Sequence, residues 1–158
     1  MKKQLLTLIA EIESEIKQLE ELRKRLMETE HGKYCSDNRE VYEESEALKL
    51  HNFYTGCENI FKRIAIMFNG GVPRGEDWHK QLLSIMALDI PSVRPAVISS
   101  NLCERLDEYL RFRHVIRNIY AFKIDSDQLQ KLVDSFNRTF QQFSQEITEF
   151  LKFVKTLV

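Results

Sequence analysis

Between Leu129 and Leu157 an apolar residue recurs at every third or fourth position: Leu129, Leu132, Phe136, Phe140, Phe143, Ile147, Phe150, Val154 and Leu157. A strand cannot put such a series on one face, because its side chains alternate with period two. The series therefore fixes one helix of about eight turns at 3.6 residues each, with a continuous apolar seam that needs other helices to cover it. The rest of the chain can supply them. Only 5 Gly and 3 Pro occur in 158 residues, so turns are few and elements are long.

From Gln4 to about Glu30 a second seam runs through Leu5, Ile9, Ile12, Ile16, Leu19 and Leu26, interrupted once by Arg23. His31-Gly32-Lys33 is expected to end this helix, with Gly32 as a left-handed cap. Ser36, Asp37 and Asn38 can cap a second helix. It reaches Asn69-Gly70-Gly71 and turns Val41, Leu48, Tyr54, Cys57, Ile60, Phe61, Ile64 and Phe68 inward. Its acidic early half, with Glu40, Glu43, Glu44 and Glu46, suits the positive end of the helix dipole. After a loop from Gly70 to Glu76, a short helix is predicted from Asp77 to Leu88, and Pro91 and Pro95 bracket the next connection. A fourth helix is predicted from Ser99 to Phe122, with Ser99 or Ser100 as cap and Leu102, Leu106, Leu110 and Phe112 among its apolar residues. The last starts at Asp125 or Ser126. No segment alternates with period two and no repeat is visible. The predicted fold is all-α, an antiparallel bundle of four long helices plus one short helix.

Composition narrows the function. The 23 Lys+Arg and 24 Asp+Glu nearly cancel, so any nucleic-acid surface must be a local patch. Cys35, Cys57 and Cys103 form no C-x-x-C pair and read as reduced thiols, two of them buried. MKKQLLTLIA meets Glu11, Glu13 and Glu15 without a cleavage site, and no run approaches the roughly 20 apolar residues that span a bilayer. A cytoplasmic protein without a membrane anchor is expected. No phosphate-binding glycine loop and no Gly-x-Ser-x-Gly elbow is present. His31, His51, His79 and His114 lie apart in the sequence, so neither a metal nor a cofactor is expected.

One stretch carries candidate chemistry. From Tyr109 to Lys123 there are three arginines, a lysine and no acid. On a helix Arg113 and Arg117 are one turn apart, Tyr120 continues their face, and His114 and Asn118 form an adjacent pair. Guanidinium groups bind phosphate oxygens in pairs and an imidazole moves protons near neutral pH. These are the parts of a metal-free phosphodiesterase. The same residues also fit a purely structural role, with Arg111 paired to Asp107 and Arg113 to Asp125 or to the acidic face of the second helix.

The run Arg113-His114-Val115-Ile116-Arg117-Asn118-Ile119-Tyr120 resembles the R-x4-H-x-Y signature of HEPN ribonucleases, in particular their HepT-like toxins. Other pieces agree: Ala47 to Gly56 with Glu58 and Ile60-Phe61, Asp77-Trp78-His79 with Leu82-Leu83 and Met86, Asp89-Ile90-Pro91 with Val93-Arg94-Pro95, and Asp125. The likeness covers residues 40 to 135, roughly, within a single domain spanning 1–158, whose N-terminal amphipathic helix (1–30) packs on or extends the bundle. It implies a homodimer in which the signature helices of two protomers face a shared cleft. It further implies a metal-independent RNA endonuclease or tRNA-directed nuclease of a toxin–antitoxin pair. The implied partner is a nucleotidyltransferase antitoxin of the MNT type, which in some cases attaches AMP to the tyrosine matching Tyr120. Positions 113 and 118 are about 140° apart on a straight helix, and dimerisation would bring both to one cleft.

By that resemblance Arg113 and Arg117 hold the scissile phosphate, Arg111 adds to RNA binding, and His114 and Asn118 line the cleft. The signature histidine is replaced by Asn118, whose amide can bind phosphate or ribose but cannot carry a proton at neutral pH. His114, one turn earlier, is one candidate substitute. The alternative is a catalytically weak or inactive module that binds RNA or a nucleotidyltransferase without cutting.

Overall fold

The computed structural model describes residues 1–118 and 123–158, with the side chain of Asn118 outside the description. Among these residues five helices follow in order: α1 Lys2–Tyr34, α2 Arg39–Phe68, α3 Trp78–Met86, α4 Ser100–Asn118 and α5 Ser126–Thr156. The bundle is all-α, four long helices and one short, as the seams predict. Among the described residues no helix is long and apolar enough to cross a membrane.

The core sits where the seams meet. Phe53 of α2 is fully buried and touches the rings of Tyr109, Phe136, Phe140 and Phe143 from α4 and α5, three of the four edge-on. The Tyr109 hydroxyl donates to the Leu132 carbonyl at 3.0 Å, so this buried aromatic leaves no polar tip unpaired. Every seam position of α5 from Leu129 to Val154 is buried; Leu157, in the final turn, is exposed. In α1 the buried residues include a series at sevens: Leu5, Ile12, Leu19 and Leu26, then Lys33. α1 thus packs on α2 and α5 through a coiled-coil-like edge.

Several local expectations are corrected. α1 does not stop at Gly32 but continues to Tyr34, and Gly32 does not have a positive φ. Its small size matters for another reason: a Cβ there would come within 2.6 Å of the Tyr42 ring. Val41 and Leu48 face outward, 55% and 59% exposed. The inward stripe of α2 instead uses Glu46, Ala47, Leu50 and Phe53, because the helix phase set by Tyr54, Phe61 and Ala65 places those positions inside. Of the three free cysteines only Cys57 is buried; Cys103 is partly covered and Cys35 exposed.

Three helix ends are fixed by local contacts, whereas Asn38 precedes α2 without a side-chain capping bond. Gly70 and Gly71 take φ of 77° and 142°, and Asn69 and Gly71 both return their N–H to the Ala65 carbonyl, which closes α2. Asp125 caps α5 through Asp127 N and Gln128 N. Ser99 Oγ accepts from Leu102 N at 3.1 Å, while Glu146 of α5 accepts from Ser99 N. Arg94 is buried and donates to the carbonyls of Ile85, Leu88 and Pro95 and to Asn69 Oδ1. It thereby ties the end of α3 to the end of α2 and fixes how α3 lies.

Candidate functional site

Three helices bring their polar residues together at one place. In α4 the buried series Leu102, Leu106, Tyr109 advances by four and three, and the next step is Arg113. The side chain of Arg113 is consequently carried into the core, only 6% exposed. In α2 the same logic places Glu58 between Tyr54 and Phe61, 3% exposed. In α3 the packing of Leu82, Leu83 and Met86 turns the position one helical turn earlier, His79, toward the same spot.

The contacts form a closed set. Arg113 Nη2 donates to Glu58 Oε2 at 3.0 Å and Nη1 to Oε1 at 3.4 Å, a two-pronged grip. Nη1 also donates to Thr55 Oγ1 at 3.2 Å. The guanidinium lies over the Tyr54 ring, its Cζ 4.8 Å from the centroid. His79 Nδ1 is 2.7 Å from Glu58 Oε2 and 3.0 Å from Arg113 Nη2. Since a guanidinium can only donate, these contacts are best reconciled when Nδ1 bears the proton and Oε2 accepts from both neighbours. Trp78 stacks on the imidazole at 3.6 Å, and Lys62 Nζ sits 5.0 Å from the Trp78 centroid and 3.7 Å from Glu58 Oε1.

The remaining sequence-predicted residues divide. Arg111 is 70% exposed and pairs with Asp107 at 3.1 Å, as its spacing allowed. Arg113 pairs with Glu58, a carboxylate of the second helix, and not with Asp125. For Arg113 to hold a phosphate directly, that phosphate would have to displace Glu58. His114 and Arg117 lie exposed on the last turns of α4. The side chain of Asn118, and Tyr120 altogether, lie outside the described residues. His51, which spacing alone left without a role, belongs to this face: burial pushes its imidazole down, a hydrogen bond with Asn52 opposes this, and the charges of Arg113 and Arg117 add to it. Glu58 and His79 likewise had no predicted role. The signal for Glu58 was a carboxylate in an otherwise apolar stripe; for His79 it was only its helical phase with Leu82 and Met86.

Among the described residues no group of three or more His, Cys, Asp or Glu could hold a metal ion. Two clefts of about 610 Å³ lie elsewhere, one between α1 and α5 beside Arg23 and Gln145, the other beside Val97 and Phe153. Neither contains a residue of the cluster.

The profile of the HepT-like protein family matches residues 45–154. That span takes in α3, α4, most of α2 and nearly all of α5, and with them every residue of the cluster. The chain belongs to the HepT-like family. No curated protein and no solved structure matches it significantly. In this HepT-like protein the match begins one residue before Glu46 and leaves α1 outside, although α1 covers one side of α2.

Proposed function

We propose that this HepT-like protein is an RNA endonuclease of the HEPN toxin type, working without a metal ion at a cleft between two protomers. The observation that supports this reading is the joining of two features on α4: a guanidinium fixed by a buried carboxylate that an imidazole also engages, and an exposed acid-free end bearing Arg117 and His114. In the reaction a base takes the ribose 2′-hydroxyl proton, the oxygen attacks phosphorus, and cationic donors stabilise the charge that develops on the phosphoryl oxygens. Arg117 and Arg111 would draw in the phosphates. Arg113 would hold Glu58, and through it His79, in place and lend positive charge to the cleft. A nucleotidyltransferase antitoxin of the MNT type would neutralise the protein, with Tyr120 as the position it modifies.

The test is cleavage of RNA in EDTA by the purified protein and by Arg117→Ala, chosen because that side chain is exposed and its loss leaves the core intact. A drop of about a hundredfold, typical of removing one charge-stabilising donor, is expected. Undiminished cleavage in Arg117→Ala removes the site assignment, and a protein that is monomeric while active removes the shared cleft.

A second reading is favoured by Asn118: a module that binds RNA or a nucleotidyltransferase but cuts weakly or not at all. Under it, Asn118→His gains ribonuclease activity that the natural chain lacks.

A further inference from the structure

An amide at position 118 leaves the proposed reaction without its proton carrier, and the cluster behind Arg113 contains a group with the right chemistry. We infer that His79, oriented by Glu58, is the residue that takes the proton from the ribose 2′-hydroxyl. The inference rests on the ribonuclease reading above and names the catalytic base for it.

The imidazole is held on two sides, at Nδ1 by the Glu58 carboxylate at 2.7 Å and across its face by Trp78 at 3.6 Å with the rings 29° apart. With the Nδ1 proton committed to Glu58, the lone pair is on Nε2, which makes no hydrogen bond to any described residue. A carboxylate fixing one nitrogen of an imidazole so that the other can accept a proton is the arrangement that general-base catalysis requires. Exposure separates the three members: Glu58 at 3% and Arg113 at 6% are shut in, whereas the His79 side chain is 29% exposed. Of these three, His79 is the one that reaches solvent. Its charged neighbours are Glu58 and Lys62 on α2, Arg113 on α4 and Asp77 at the start of its own helix. The set holds two cations and two anions, but Glu58 is already engaged by both Arg113 and His79 and Asp77 lies exposed at the helix end.

Nε2 takes the 2′-hydroxyl proton, the O2′–P bond forms and the P–O5′ bond breaks. The leaving 5′ oxygen takes a proton from water, and the imidazolium returns its proton to the resulting hydroxide. The products are a 2′,3′-cyclic phosphate and a 5′-hydroxyl.

His79→Asn separates catalysis from structure, because the asparagine amide can still donate to Glu58 but cannot carry a proton. Bulk tRNA and a mixed-sequence single-stranded RNA are incubated in EDTA with the full-length protein and with the variant; cyclic-phosphate ends are counted, kcat and KM are separated, and thermal unfolding is followed. Expected is a fall in kcat of about a hundredfold or more, with KM and the unfolding midpoint little changed. A His79→Asn protein that cleaves within about twofold of the natural chain overturns the inference and leaves the ribonuclease reading standing. A natural chain that cuts neither RNA overturns both. Should the variant not fold, inactivation of the natural protein by diethyl pyrocarbonate, mapped by mass spectrometry, decides: loss of activity tracking His79 supports the assignment, and loss tracking His114 or His51 overturns it.

Discussion

Two ionic clusters are buried along α2, and their charge counts are opposite. Near its start, Lys33 Nζ lies 2.8 Å from Glu46 Oε1 and 2.9 Å from Glu30 Oε2, with Gln130 of α5 bonded to Lys33 and Glu30. Two carboxylates there share one cation. Burial first, and then the neighbouring Glu30, push the Glu46 carboxyl up to about 7. Burial opposes ionisation of Glu30 as well, but hydrogen bonds with Glu46, Gln130 and Lys33 outweigh it and hold that group at about 2. One proton shared between the carboxylates resolves the imbalance internally. The second cluster has Arg113 and Lys62 around the single carboxylate of Glu58. Counted without the exposed Asp77 at the start of α3 its charge is positive, a guanidinium cannot shed its proton, and Lys62 reaches solvent at 36% exposure. The first cluster is the more closed, with Lys33 and Glu46 at 2% and 0% exposure and Glu30 at 18%; the second reaches solvent through His79 at 29% and Lys62 at 36%. A closed and self-neutralised cluster fastens helices together, while an open and cationic one can take a substrate.

The largest effect should come from breaking the second cluster at its anion. Glu58→Gln leaves the Arg113 guanidinium buried without a counter-charge, and removing one partner of a buried pair costs about 3–5 kcal/mol. Urea unfolding at neutral pH measures it. A loss below about 1 kcal/mol, the range of an exposed pair, would mean that Arg113 escapes to solvent and that the two clusters do not differ in kind.

Next in size is a pH effect specific to the first cluster. The folded-state value of Glu46 lies above the ordinary 4.5, so the folded protein binds its proton more tightly than the unfolded chain. The stability it contributes is fully present below about 4.5, and is lost as pH rises through about 7. At 1.36 kcal/mol per unit this amounts to roughly 3 kcal/mol. Glu30 has the opposite sign: its contribution is present above 4.5 and lost as pH falls toward 2. Unfolding free energies measured from pH 4.5 to 7.5 should therefore decline for the natural chain, and Glu46→Gln should flatten that decline. A decline of equal size in Glu46→Gln would assign it to other groups.

Both clusters show what the sequence could and could not disclose. The long helices were legible because apolar residues recur in threes and fours over many turns, and such a signal accumulates. Lys33 and Arg113 were legible in principle by the same arithmetic: Lys33 stands seven after Leu26, and Arg113 four after Tyr109. Both continue an apolar series and are buried for that reason. Charge made Arg113 read as a phosphate ligand or an ion-pair partner, and Lys33 as part of a helix end. Their partners were not legible from spacing. Glu58 is 55 positions before Arg113 and His79 is 34 before it, and only the packing of α2 and α3 against α4 brings them together. Val41 and Leu48 failed for the converse reason: each is apolar, but the phase of the well-packed half of α2 turns them outward.

The smallest effect completes the contrast between buried and exposed charge. Arg111 is paired with Asp107 one turn earlier, at 70% exposure, and an exposed helical pair of this spacing is worth about 0.3–0.5 kcal/mol. Arg111→Ala should thus leave the unfolding free energy almost where it was. Its effect on RNA should be selective: removing one cation from a phosphate lowers the slope of log affinity against log salt by about 0.7 for a single strand, evenly across sequences. A shallower slope with unchanged stability would assign the exposed end of α4 to phosphate binding. An unchanged slope would confine Arg111 to its pair with Asp107 and leave Arg117 and the open side of the Glu58 cluster to hold the RNA.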